Sequence, residues 1–226
     1  MSLLLTISII LFTTDSMRTI DLQNWPRKSH FDMFKDYESP HYNMCADVDI
    51  SQLYAVCKKH SVSSYTAIVY LIIRAVNKVT PFRLRIREDE VVEHDRIHPS
   101  FTVLRNDNTF GYCTQDYHLD FDAFLSEHTK RVEEVMAEQT LESGPRDDLI
   151  YMSCIPWVKF TSISHAMRLM PTDCIPRFSW GKYSKKDGRV EMPLSVQVHH
   201  ALVDGYDVGR FYHCLQSSFD DFESIL

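Results

Sequence analysis

The stretch RVEMPLSVQVHH at 189–200 constrains the fold of this chain more than any other segment. Side chains on a strand alternate between its two faces with period two. Val190, Met192, Leu194, Val196 and Val198 then share a face with His200, while Arg189, Glu191, Ser195 and Gln197 share the opposite one with His199. One face is apolar throughout, so the strand must lie against a hydrophobic core and turn polar groups the other way. Just before it, KKDG offers Asp187-Gly188 for a tight hairpin turn, because glycine tolerates positive φ. That turn folds the strand back on RFSWGKYS at 177–184. Beyond the histidines, Val208, Phe211, Leu215, Phe219 and Phe222 recur at helical spacing and predict a closing amphipathic helix.

The rest of the chain alternates between the two periodicities. HYNMCADVDI (41–50) reads as extended, and Asp49 or Ser51 is placed to cap a short helix through SQLYAVCKKH. A second helix runs from Ser63 or Ser64 through YTAIVYLIIRAVNKV, apolar almost all round and therefore central to the core. FRLRIRE, SFTVLRN and TFGYCTQ have strand character, and DFDAFLSEHTKRVEEVMAEQ (120–139) reads as a solvent-facing amphipathic helix. LIYMSCIPWVKFTSI (149–163) predicts strands broken at Pro156. Hairpins mixed with helices predict an α+β two-layer sandwich, a mixed and largely antiparallel sheet covered by helices.

With 226 residues and no repeat or linker, residues 17–226 form one domain. The net charge of −7 and scattered basic residues argue against nucleic-acid binding. The six cysteines form no C-x-x-C pair, so they read as free thiols in a reducing compartment rather than as a metal or redox site. Leu3 to Phe12 is apolar, yet the first positive side chain is Arg18, there is no small-x-small cleavage site, and the run is too short to cross a bilayer. Residues 1–16 are therefore expected to be an extension ahead of a cytoplasmic domain opening at Met17.

Strand parity separates the two histidines. His200 ends the apolar stripe, where an imidazole suits a general base near neutral pH. The plainer reading is a core histidine bonded to a carbonyl. A metal site is excluded, because His199 and His200 point to opposite faces and no second ligand cluster accompanies them. Asp204-Gly205 follow in the pattern H-x-x-x-D-G, where Asp204 has three possible tasks: orienting the histidine, capping the helix or pairing with a buried arginine.

Several blocks in order, NWPRKSHF, IHPSFTVL, SCIPWVKFTS, GKYSKKDGRVEMPLSVQVHHALVDG and VGRF, make the chain resemble the chloramphenicol acetyltransferase family, which belongs to the coenzyme A-dependent acyltransferases. The resemblance implies direct transfer from acetyl-coenzyme A, a co-substrate and not a resident cofactor, to a small-molecule hydroxyl, with chloramphenicol as the implied acceptor. It assigns His200 as general base, Ser153 as hydrogen-bond donor to the oxyanion, and Ser179, where a threonine is common, as a helper acting through water. It makes Asp204 and Arg27 a buried ion pair and puts Lys182 near the coenzyme's ribose phosphate. It implies a homotrimer in which His200 comes from one subunit and much of the acceptor pocket from the next.

Departures from the family gather in that pocket. Phe34 stands where tyrosine is frequent, Phe110 keeps an aromatic, and Ile163 replaces one. Arg177 and Asp173 fall where apolar or aromatic side chains are usual. A charge in an apolar pocket is costly unless paired. Either the two turn outward or the acceptor is a more polar alcohol or amine. A non-catalytic trimeric scaffold is the competing class, against which the retained His200 and Ser153 count. The acyltransferase core of a dihydrolipoyl complex is a further alternative, although its lipoyl segments and Ala/Pro-rich linkers are missing from the sequence.

Overall fold

A computed structural model describes residues 16–137, 144, 146–168 and 173–226. In chain order the elements are β1 (Met17–Thr19), α1 (Lys28–Phe34), β2 (His41–Asp49), α2 (Ser51–His60), α3 (Ser64–Lys78), β3 (Leu84–Arg87), β4 (Glu90–His94), β5 (His98–Leu104), β6 (Phe110–Thr114), α4 (Phe121–Ala137), β7 (Leu149–Ile155), β8 (Arg177–Gly181), β9 (Ser184–Lys186), β10 (Arg189–His199) and α5 (Gly205–Asp220). Residues 1–15, which hold most of the expected extension, lie outside the described residues.

The main sheet runs β2-β10-β8-β7-β5-β6, with β9 also paired to β10. Its neighbours are antiparallel except that β7 is parallel to both β5 and β8. The fold is thus the mixed α+β sandwich that the patterning predicts. A parallel pair of neighbouring strands needs a crossover connection. Helix α4 lies in the crossover between β5 and β7, while the connection at 156–176, which has no helix or strand in its described part, links β7 to β8. Here the sequence reading needs correction: strand pairing stops at Ile155, and residues 156–163 form no second strand.

A second sheet, β1-β4-β3, was not foreseen. β3 lies within FRLRIRE, expected as a strand, but the strands are only three to five residues long, with Arg18 paired to Glu93 across the sheet, too short for the pattern to show which partners they take. Arg85 in β3 is fully buried, and among the described residues no carboxylate bonds to it. Its guanidinium donates instead to the carbonyls of Asp147, Phe82, Leu84 and Leu149 at 2.6–3.0 Å, which fastens the small sheet to the start of β7.

The expected helices form for the expected reasons. Ser63 caps α3, its hydroxyl accepting the Thr66 N–H, and α3 is buried on nearly every side. Asp49 accepts the N–H and the hydroxyl of Ser51 at the head of α2. Asp187 and Gly188, at φ 49° and 79°, make the two-residue turn from β9 to β10. Met192, Leu194, Val196 and Val198 are all buried on the helix side, and Phe211 of α5 packs its ring 5.0 Å from Phe178 of β8 and 5.4 Å from Phe82. No described helix is long and apolar enough to cross a membrane. Phe211→Ala removes the ring that joins helix layer to sheet and should cost about 3–5 kcal/mol of stability, read as a lowered urea midpoint.

Candidate active site

The polar face of β10 continues across the sheet. Ser195 is paired with Ser179, and Ser179 with Ser153, so three serines form one row over β10, β8 and β7 on the face away from the helices. The chain after β7 reaches over this face at His165, whose N–H donates to Gln197 Oε1 at 3.1 Å and whose Nε2 lies 3.2 Å from Ser179 Oγ. Between them is a cavity of about 830 Å³ whose lining includes Thr102, Phe110, Ser153, His165, Arg177 and Ser179. Ser179 is fully buried, and Ser153 is partly buried and accepts from Thr102 Oγ1 at 3.5 Å.

Arg177 and Asp173 do not turn outward. Both line the cavity, and they neutralise one another there with side chains only 11% and 15% exposed. Arg177 also donates to the Ile175 carbonyl at 3.0 Å, and its guanidinium lies 5.3 Å from the Tyr151 ring centre. The cost of a charge beside the pocket is met by pairing in place, which gives this wall a polar surface.

His200 lies on the other side of the sheet, at the helix-side end of β10. Its ring stacks on Phe34 of α1 at 4.2 Å and 11°, and Tyr42, paired with Val198 on the same face, comes within 4.8 Å. The His200 backbone N–H donates to the Pro40 carbonyl at 2.8 Å. Nδ1 is shut away from solvent with no partner among the described residues, which leaves Nε2 as the nitrogen able to meet another molecule. His199 points the opposite way, edge-on to His41 at 5.0 Å, with Nδ1 accepting the Ala201 N–H at 3.2 Å. Burial, helped by His41, depresses the pKa of His199 to about 4, so this imidazole is neutral.

Asp204 performs two of its three expected tasks at once. Oδ1 caps α5 by accepting the Tyr206 and Asp207 N–H groups at 2.9 and 3.2 Å, while Oδ2 accepts from Arg27 Nη1 at 2.7 Å. The description of a buried pair needs amending, since the Asp204 side chain is 32% exposed. The deeply buried carboxylate is Asp207, 3.4 Å from the same guanidinium nitrogen. Burial, and then the charge of Asp204, raise the pKa of Asp207 above the ordinary carboxylate value.

Other expected positions fall elsewhere. Phe110 lines the cavity, but Phe34 packs on His200 instead, and Ile163 is partly buried without lining the cavity. Lys182 is exposed immediately after β8, and among the described residues its side chain has no partner. Asp207, His165 and Tyr42 were not picked out from the sequence. Asp207 sits at the third position of a capping box, where a carboxylate is a readable signal. His165 lies in an aperiodic connection and gives none.

A family profile described as chloramphenicol acetyltransferase matches residues 16–216. The chain belongs to that family. Chloramphenicol acetyltransferases from a Klebsiella species and from Clostridium perfringens are each 32% identical to it, over 91% and 87% of this chain and 94% and 95% of theirs. A solved chloramphenicol acetyltransferase structure superposes with a TM-score of 0.78 at 25% identity, covering 89% of this chain and 99% of the other. The cubic core of the pyruvate dehydrogenase multienzyme complex shares the fold at 17% identity and a TM-score of 0.61, over 82% and 84% of the two chains. As a member of the chloramphenicol acetyltransferase family, this chain is an acyltransferase enzyme with a CAT-like α+β fold.

The buried imidazoles set an acid limit on stability. His199 and His128 are held to about 4 by burial, whereas an unfolded histidine titrates near ~6.5. Between those values the unfolded chain takes up protons that the folded chain refuses, so stability is complete above about pH 6.5 and is lost as pH falls toward 4. Unfolding free energies from urea titrations should be flat from about pH 8 down to 7 and, below about pH 6.5, fall by on the order of 1 kcal/mol per pH unit per group.

Proposed function

We propose that the enzyme transfers acetyl from acetyl-coenzyme A directly to a small-molecule hydroxyl, with chloramphenicol as the acceptor that its relatives' names suggest. His200 Nε2 accepts the hydroxyl proton as the acceptor oxygen attacks the thioester carbonyl. Ser153 donates its hydroxyl hydrogen to the oxyanion that forms, where a fixed donor acts on charge present only in the transition state. Collapse of the intermediate breaks the carbon–sulfur bond, and the coenzyme A thiolate recovers the proton from His200. Ser179, beside Ser153 in the row, assists through a water, and Lys182, free on the surface, meets the coenzyme. Arg27 and Asp204 fix the turn after β10 that aims His200.

One observation carries this reading: the base and the oxyanion donor belong to opposite faces of one sheet. His200 packs with Phe34 and Tyr42 on the helix face, while Ser153 and Ser179 open into the cavity on the other. A chain arranged this way completes its site only with a second copy, whose His200 enters the cavity from outside. A closed ring of identical contacts then repeats the site at each interface. This supports a homotrimer with three interfacial sites and weighs against a scaffold, which needs no such division.

Thiol release from acetyl-coenzyme A in the presence of chloramphenicol tests the chemistry. His200→Ala should abolish it, and Ser153→Ala should lower turnover by roughly two to three powers of ten. His199→Ala should retain turnover while losing stability, because that ring is buried. Loss of turnover in both histidine variants alike would remove the distinction between them.

The division between subunits has its own test. His200→Ala and Ser153→Ala proteins, unfolded together and reassembled in equal amounts, should regain about a quarter of wild-type activity, because that share of interfaces joins an intact His200 to an intact Ser153. No recovery would place both groups in one subunit's site.

A further inference from the structure

The Arg177–Asp173 pair on the cavity wall has hydrogen-bonding capacity left over. Arg177 spends N–H groups on the Ile175 carbonyl and on Asp173 Oδ2, out of the five that a guanidinium carries. Asp173 accepts from the Ile175 N–H at 3.0 Å and from Arg177, leaving further lone pairs on both oxygens. His165 lines the same cavity with Nε2 on Ser179, and among the described residues its Nδ1 has no partner. The ring of Tyr151 lies below the guanidinium, and Phe110 and Tyr112 sit edge to face at 5.5 Å in the same lining.

Spare donors next to spare acceptors, flanked by aromatic rings, suit a neutral molecule with neighbouring hydroxyls. One hydroxyl accepts from Arg177 while the next donates to Asp173. A carboxylate would meet Asp173 and an ammonium would meet Arg177, each a like charge in a sheltered place. A flat apolar ring would strip water from both ions and return nothing. A site built to hydrogen-bond its substrate discriminates strongly against an analogue lacking those groups, by as much as roughly four powers of ten.

We propose that His165, Asp173 and Arg177 set the acceptor preference of this enzyme, and that the preferred acceptor is a small neutral polyhydroxylated alcohol, with chloramphenicol accepted less efficiently. This rests on the transferase chemistry proposed above and concerns only what the cavity holds. The ion pair acts on the distal part of the acceptor, while His165, bonded to Ser179, stands between that part and the hydroxyl that is acetylated.

The test is kcat/KM for thiol release by the purified wild-type enzyme with chloramphenicol against a panel of methyl glycosides and simple polyols. At least one polyol should exceed chloramphenicol by about tenfold or more. Asp173→Leu with Arg177→Val removes both charges together, so no lone ion remains, and should reverse the order by raising chloramphenicol at least about tenfold. His165→Leu keeps the ion pair and should lower the polyol value without helping chloramphenicol to the same degree. Chloramphenicol above every polyol in the wild type overturns the proposal even if a variant fails to fold, and leaves the transferase chemistry standing. Silence with every acceptor, while coenzyme A still binds, overturns both.

Discussion

Strand β10 is paired on both edges and buried on both faces, and the alternation of its side chains divides the protein's work. Residues of one parity, Met192 through Val198, join the core under α3 and α5. Those of the other, Ser195 and Gln197, extend a polar row toward Ser179 and Ser153. The period of two cannot be relaxed along a paired strand, so a one-residue slip would exchange core and cavity outright. The Asp187–Gly188 turn fixes the register at one end, and the turn through Asp204 takes over at the other.

Much of this was legible in the sequence because β10, α3 and α5 each carry a strong and single periodicity. The separation of His199 from His200 required no more than counting along the strand. What stayed hidden lies where no period exists. His165 comes from a connection that neither alternates nor winds, and its place beside Ser179 depends on a hydrogen bond to Gln197, over thirty residues later. The small sheet escaped as a unit because its strands run for only three to five residues: β3 reads as extended, but nothing so short names β1 and β4 as its sheet. Arg177 and Asp173 were seen as charges in an unexpected place, but their mutual pairing depends on a turn whose geometry only the fold supplies.

The region around His200 is short of hydrogen bonds within the chain. Arg27 Nε and Nη2, the Tyr42 hydroxyl and His200 Nδ1 are all buried there without partners among the described residues. An unsatisfied buried polar group costs about 1–3 kcal/mol. The neighbouring core around Phe178 and Phe211 has no comparable cluster of partnerless groups among the described residues. Departures from good packing practice gather at functional sites, and here they surround the imidazole proposed as the general base. The Asp204 carboxylate, serving helix and arginine at once, holds this otherwise poorly bonded corner in place.

Arg85 fastens β3 to the beginning of β7 in a different currency from the other arginines nearby. Arg87 reaches Asp147 and Arg146 reaches Asp148, both carboxylates, whereas all four acceptors of Arg85 are main-chain carbonyls. Carbonyl oxygens do not ionise, and salt has little reach into a fully buried site. Acid and high ionic strength therefore loosen the outer clasps while the inner one holds. The strand bearing Ser153 has a mooring indifferent to the medium, so as conditions grow harsh the serine should stay seated after the surface around it has begun to come away.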